Sequence, residues 1–145
     1  MTPKIIYTGG SGPITLTFVN GPVGFAAYWD ARVHDNLATS GAVRERVVEN
    51  ADILIECPMP NLVVDGDMPG WATFMAFAIL GGMFSFYPCS TLTDYYDCVL
   101  EGTKWRPARN APKKYAETVV FRVLQDAKCP SDPGVVMRRF YGLTT

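Results

Sequence analysis

Four groups of residues in this chain are of types that do chemistry: a histidine beside an aspartate, four cysteines, a D-x-D turn and a scatter of carboxylates. His34 beside Asp35 supplies two of the three members of a nucleophilic triad, but no serine stands in an elbow motif to be activated. The cysteines, Cys57, Cys89, Cys98 and Cys129, have no C-x-x-C spacing, and His34 is the only histidine. Zinc sites draw on closely spaced ligand pairs, so these are expected to be reduced, mostly buried thiols. The spacing also allows a Cys89–Cys98 pair across a hairpin. VVDGDMPG, residues 63–70, has two aspartates at calcium-loop spacing but lacks the later ligands and the glutamate of an EF-hand. It reads as a turn with Asp67 capping the helix that follows. TGGSGP, residues 8–13, is glycine-rich, but no helix follows to receive a phosphate, so it too is a turn. A mild basic cluster at Arg106, Arg109, Lys113 and Lys114 reads as a solvated surface. No catalytic, cofactor-binding or metal-binding residue is assigned, and the chain is expected not to be an enzyme.

The elements that would carry any site are mostly strands. The 145 residues are 48% hydrophobic and 19% charged with a net charge of −1, which suits one globular domain and gives no footprint for nucleic acid or anionic lipid. The start, MTPKIIYTGG, lacks the apolar core of a signal peptide, so synthesis in the cytosol is expected. Period-two alternation marks ITLTF, with Ile14, Leu16 and Phe18 on one face. It also marks DILIEC and YYDCVLEG, and most cleanly YAETVVFRVL, where Tyr115, Glu117, Val119, Phe121 and Val123 share a face. GFAAYWDARVH is aromatic and β-prone. AVRERVVEN reads as an exposed strand leading into DILIEC, a long hairpin arm at about 42–57. CPMPN is expected to stop that strand, because proline donates nothing to a ladder. RPARNAPKK is expected to be a polar loop.

One stretch changes period. From Met68 to Thr93 there is no charge, and Trp71, Phe74, Met75 and Ala78 recur at helical spacing. The helix is expected over about 69–81, with Pro69 in its first turn and Gly81–Gly82 ending it. Its apolar part, Trp71 to Leu80, is roughly 15 Å long, too short for a bilayer, so it is read as a core helix and not a membrane segment. MFSFYP follows as a strand with Phe84 and Phe86 on one face. Trp71, Phe74, Phe77, Phe84, Phe86 and Phe121 are the expected core. The fold class is therefore mainly β (α+β), a β-sandwich or barrel with one buried helix, with 126–145 as a C-terminal arm.

The order of these features resembles a known family. The run W-x-x-F-x-x-F-A-x-x-G-G-x-F-x-F-Y-P is carried by Trp71, Phe74, Phe77, Ala78, Gly81, Gly82, Phe84, Phe86, Tyr87 and Pro88. With the aromatic strand and charged segment before it and VVFRVL after it, the chain resembles tail structural proteins of long-tailed bacteriophages. It is most similar to the β-sandwich N-terminal domain of distal tail and baseplate ring proteins. The resemblance implies a virion protein without cofactors that forms a homo-oligomeric ring, typically sixfold. Such a ring stacks on tail tube and baseplate proteins, with DNA at most passing through its lumen. It also implies that subunits pair strand edges and exchange an arm, for which 42–57 is suited. Arg44, Glu45, Arg46 and Glu49 are the expected interface residues. Tail tube and tail-completion rings stay open as stations, as does a carbohydrate- or ligand-binding β-module using Trp29 or Trp105.

Overall fold

The computed structural model describes residues 3–22, 24–88, 95–102 and 104–124. The expected C-terminal arm, Cys89 and Cys129 lie outside them. Among the described residues eight strands and one helix follow in the order β1 (Lys4–Gly9), β2 (Gly12–Leu16), β3 (Ala26–Leu37), β4 (Val43–Val63), α1 (Asp67–Ala78), β5 (Phe84–Tyr87), β6 (Tyr96–Glu101), β7 (Ala108–Ala111) and β8 (Lys114–Val123). The strands form one antiparallel sheet in the order β2-β1-β5-β6-β8-β4-β3, with β7 paired to β8. The fold is mainly β with a helix against the sheet, as the alternating periods indicate.

The inner face of the sheet closes over α1. Phe74 is fully buried at the centre, edge-on to Phe84 at 4.8 Å and Phe121 at 6.2 Å, and 5.4 Å from Tyr7. These four rings come from α1, β5, β8 and β1, so one side chain joins four elements, and such edge-to-face contacts add to the area buried. Trp71, Phe84, Phe86 and Phe121 are buried as expected. Phe77 is only half-buried, beside Tyr7 at 5.1 Å, because it sits near the open end of the helix. Gly81 takes φ +89 just past the helix, and a Cβ on Gly82 would fall 2.5 Å from the Phe77 ring. The glycine pair therefore both stops the helix and lets that ring lie flat.

Three expectations are corrected. CPMPN does not stop a strand: β4 runs on to Val63, with Met59 and Leu62 buried. The prolines are tolerated because pairing to β3 has ended at Glu56, and the ladder to β8 shifts register between Met59 and Leu62. RPARNAPKK is not all loop. Ala108–Ala111 forms β7, which folds onto β8 through a turn where Lys113 takes φ 61. The arm is not confined to 42–57: residues 32–37 are the far half of β3, so the arm is a hairpin of β3 with β4, closed by a turn at 38–42.

Candidate functional site

β4 is paired to β8 only from Leu54 onward, and β3 is an edge strand, so among the described residues 30–37 and 43–52 form a two-stranded ribbon with both outer edges open. Eight residues of strand carry it roughly 25 Å beyond the core. Along it Val33, Leu37 and Val43 are 45–62% exposed, and at its base Trp29 is 49% exposed. Two-stranded ribbons are marginal alone in water, and cross-strand polar pairs hold this one. Arg46 donates to Asp35 through Nε at 2.9 Å and a second nitrogen at 3.2 Å, and Asn36 donates to Glu45 at 3.2 Å. The hydrogen bond from Arg46 holds the Asp35 carboxyl below its ordinary range, and Asp35 in turn raises the Arg46 guanidinium.

The ribbon contains all four expected interface residues but uses them differently. Glu45 and Arg46 are engaged across it. Arg44 and Glu49 are the positions at which β4 carries an extra residue: Asn36 pairs with Glu45 and Leu37 with Val43, while Arg32 pairs with Asn50 and Val33 with Val48. Both are bulge positions, which bend a strand and sharpen its twist.

His34 sits exposed on the same ribbon, and Asp35 gives its carboxylate to Arg46. The pair therefore does not form the dyad that a triad needs. Among the described residues no group of three His, Cys, Asp or Glu side chains is placed to hold a metal ion. Burial, with a smaller contribution from Glu117, pushes the Cys57 thiol up to about 12, far from nucleophile range. Cys98 is also buried, its thiol directed at the Tyr96 carbonyl at 3.4 Å. No helix of the described residues is long and apolar enough to cross a membrane.

Two clamped carboxylates went unrecognised in the sequence. Asp67 is buried, but it does not cap its own helix, whose N-cap position is Gly66 without a side-chain bond. Instead it accepts the backbone N–H groups of Val19 (2.6 Å), Asn20 (2.9 Å) and Gly21 (3.2 Å). Glu117, on the core-facing side of β8, accepts the indole N–H of Trp71 and, at 3.0 Å, that of Trp105. The one legible signal was a glutamate interrupting an otherwise apolar strand face, which demands a buried donor. On the opposite face Arg122 forks onto Glu101 at 2.6 and 3.0 Å and reaches Asp52 at 3.5 Å. It also offsets the like charges of Asp30 and Asp52, which face each other across β3 and β4.

The sequence matches no family model and no curated protein. Among solved structures, the chain is similar to a chain of the phage p2 baseplate in its activated conformation with Sr. The identity is 15% and the TM-score 0.46, over 86% of this chain and 44% of that one. This chain thus spans less than half of its neighbour's length.

Proposed function

We propose that this chain is a structural protein of a bacteriophage tail which assembles with copies of itself into a ring, sixfold and placed at the distal tail or baseplate. The observation that carries the reading is the ribbon of β3 and β4. Among the described residues it leaves the core with both edges open and three apolar side chains exposed along it, an arrangement that gains most of its stability by lying on another subunit. Among the described residues the sheet's other end, β2, is a second open edge. Two different open surfaces on one chain are what a head-to-tail contact needs, and such a contact makes a ring when its rotation closes. The helix–Gly-Gly–aromatic strand run at 71–88 supports the tail assignment through its resemblance to distal tail proteins. Tail tube and baseplate proteins are then its neighbours above and below, and the virion tail its location.

The carbohydrate-binding alternative loses one of its two indoles. Trp105 is half-buried and bonded to Glu117, which leaves Trp29, 49% exposed, as the remaining platform.

Negative-stain microscopy with light scattering tests the proposal on the wild-type chain and on a Leu37→Asp, Val43→Asp variant. Rings from the wild type and monomers of unchanged melting temperature from the variant are expected. A wild-type chain that stays monomeric at high concentration, alone and with co-expressed tail proteins, sinks the ring.

A further inference from the structure

The ribbon has two unlike sides. Along β3, Trp29, Val33, Asp35 and Leu37 alternate onto one of them, and Asp30, His34 and Asn36 onto the other. Trp29 stands opposite Ile53, a core residue, and cross-strand partners share a face. The first side is therefore the inner face of the sheet, carried past the body of the fold. Opposite Asp35 and Leu37 stand Arg46 and Val43. Asp35 and Arg46 bond each other, so their charges are matched and the rest of that side is apolar. In the body α1 covers the inner face, but along the ribbon Val33, Leu37 and Val43 stay exposed. An antiparallel pair with one apolar side gains by covering it.

A second apolar surface lies at the other end of the sheet. Leu80, just past α1, is 88% exposed, and Met83 is 56% exposed. Between them stands Gly82, against which the half-buried Phe77 ring lies. β5 and β8 both run antiparallel to β6, and β4 runs antiparallel to β8. Met83, just before β5, is therefore at the end of the sheet away from the ribbon tip. Within one chain the two surfaces point apart and do not cover each other. No charged residue stands between Met68 and Thr93, so the helix end offers neither sign of charge a partner and gains from an apolar occupant. Among the described residues the largest group of exposed apolar side chains is the ribbon's.

We propose that the inner side of the ribbon tip, at Leu37 and Val43, lies on the helix end, at Leu80 and Met83, of a second copy of this chain. The contact rests on the ring reading and adds to it the surface that receives the ribbon. It repeats between copies what α1 does within one, where an apolar helix closes the inner side of paired strands. Tip and helix end are different surfaces, so the contact is head-to-tail and leaves each copy one of each for its next neighbour.

Two measurements on the full chain test the contact. In light scattering, Leu80→Lys, Met83→Lys is expected to raise the concentration for half-assembly by more than about tenfold. Its melting temperature is expected to stay at the wild-type value, because both side chains are exposed and a cation suits the end of a helix. In the second measurement, chains with Leu37→Cys are mixed with chains with Leu80→Cys and oxidised, and mass mapping of the peptides reads which cysteines join. A link between residues 37 and 80 is expected in the mixture and not in either variant alone. Wild-type rings without that link, a 37-to-37 link, or a lysine variant that assembles like wild type each overturns this contact and leaves the ring standing. A wild-type chain that never assembles overturns the ring and this contact with it.

Discussion

The Asp67 carboxylate accepts the Val19 backbone N–H at 2.6 Å and so ties the first residue of the helix to a loop 48 positions earlier. With Asn20 and Gly21 also donating, this one side chain closes the corner between β2 and β3. Charge-assisted bonds of this kind are the stronger ones, and deleting the acceptor leaves desolvated donors behind. Asp67→Ala is expected to cost about 2–4 kcal/mol in urea denaturation, and Asp67→Asn less. An alanine variant as stable as wild type would show that the clamp does not form.

Glu117 is expected to behave in the same way at the other end of the core. Glu117→Leu removes the acceptor of two indoles and should cost about 2–4 kcal/mol, whereas Trp105→Phe removes one bond and should cost about 1–2 kcal/mol. The double variant should cost less than the two single costs added together, because the residues share one interaction. Simple additivity in that cycle would count against the clip.

The two phenylalanines of the helix separate by position. Phe74 is fully buried and meets rings of three other elements, so Phe74→Ala should cost about 3–5 kcal/mol. Phe77→Ala, from a half-buried site, is expected to cost clearly less. Equal losses in melting temperature would contradict this placement of the helix.

Cys57 should resist alkylation by iodoacetamide at pH 8 in the native chain and react once the chain unfolds. Its thiol titrates near 9.0 when unfolded and is pushed up to about 12 by burial. The folded state keeps this proton while the unfolded state loses it. Stability is therefore undiminished below 9.0 and falls as pH rises from there toward about 12. Peptide mapping after timed labelling reads the first effect. Rapid native labelling of Cys57 would place it outside the core.

The carboxyl of Glu101 titrates below its ordinary value of 4.5 because Arg122 donates to it. Its contribution is complete above that value and is lost as pH falls through the lowered one. The stability gap between wild type and Glu101→Gln is expected to be below about 1 kcal/mol at pH 7, since the pair is largely exposed, and to vanish at low pH. A gap unchanged at pH 2.5 would mean that the charge on Glu101 is not what counts.

The sequence by itself determined the secondary structure over most of the chain. Alternation at Tyr96–Leu100 and Val119–Val123, and helical spacing from Trp71 to Ala78, report which side of each element faces apolar surroundings, and that is a local property. It also determined the helix stop, because Gly81 and Gly82 act on their own backbone. The tertiary structure decided what depends on neighbours. Pro58 and Pro60 are compatible with a strand only because β3 ends beside them, and 108–111 is a strand only because β8 offers an edge. Asp67 and Glu117 find donors 46 to 48 residues away for Val19, Asn20, Gly21 and Trp71. No local pattern encodes such partners, because a carboxylate is satisfied by whichever N–H the fold brings within hydrogen-bond reach.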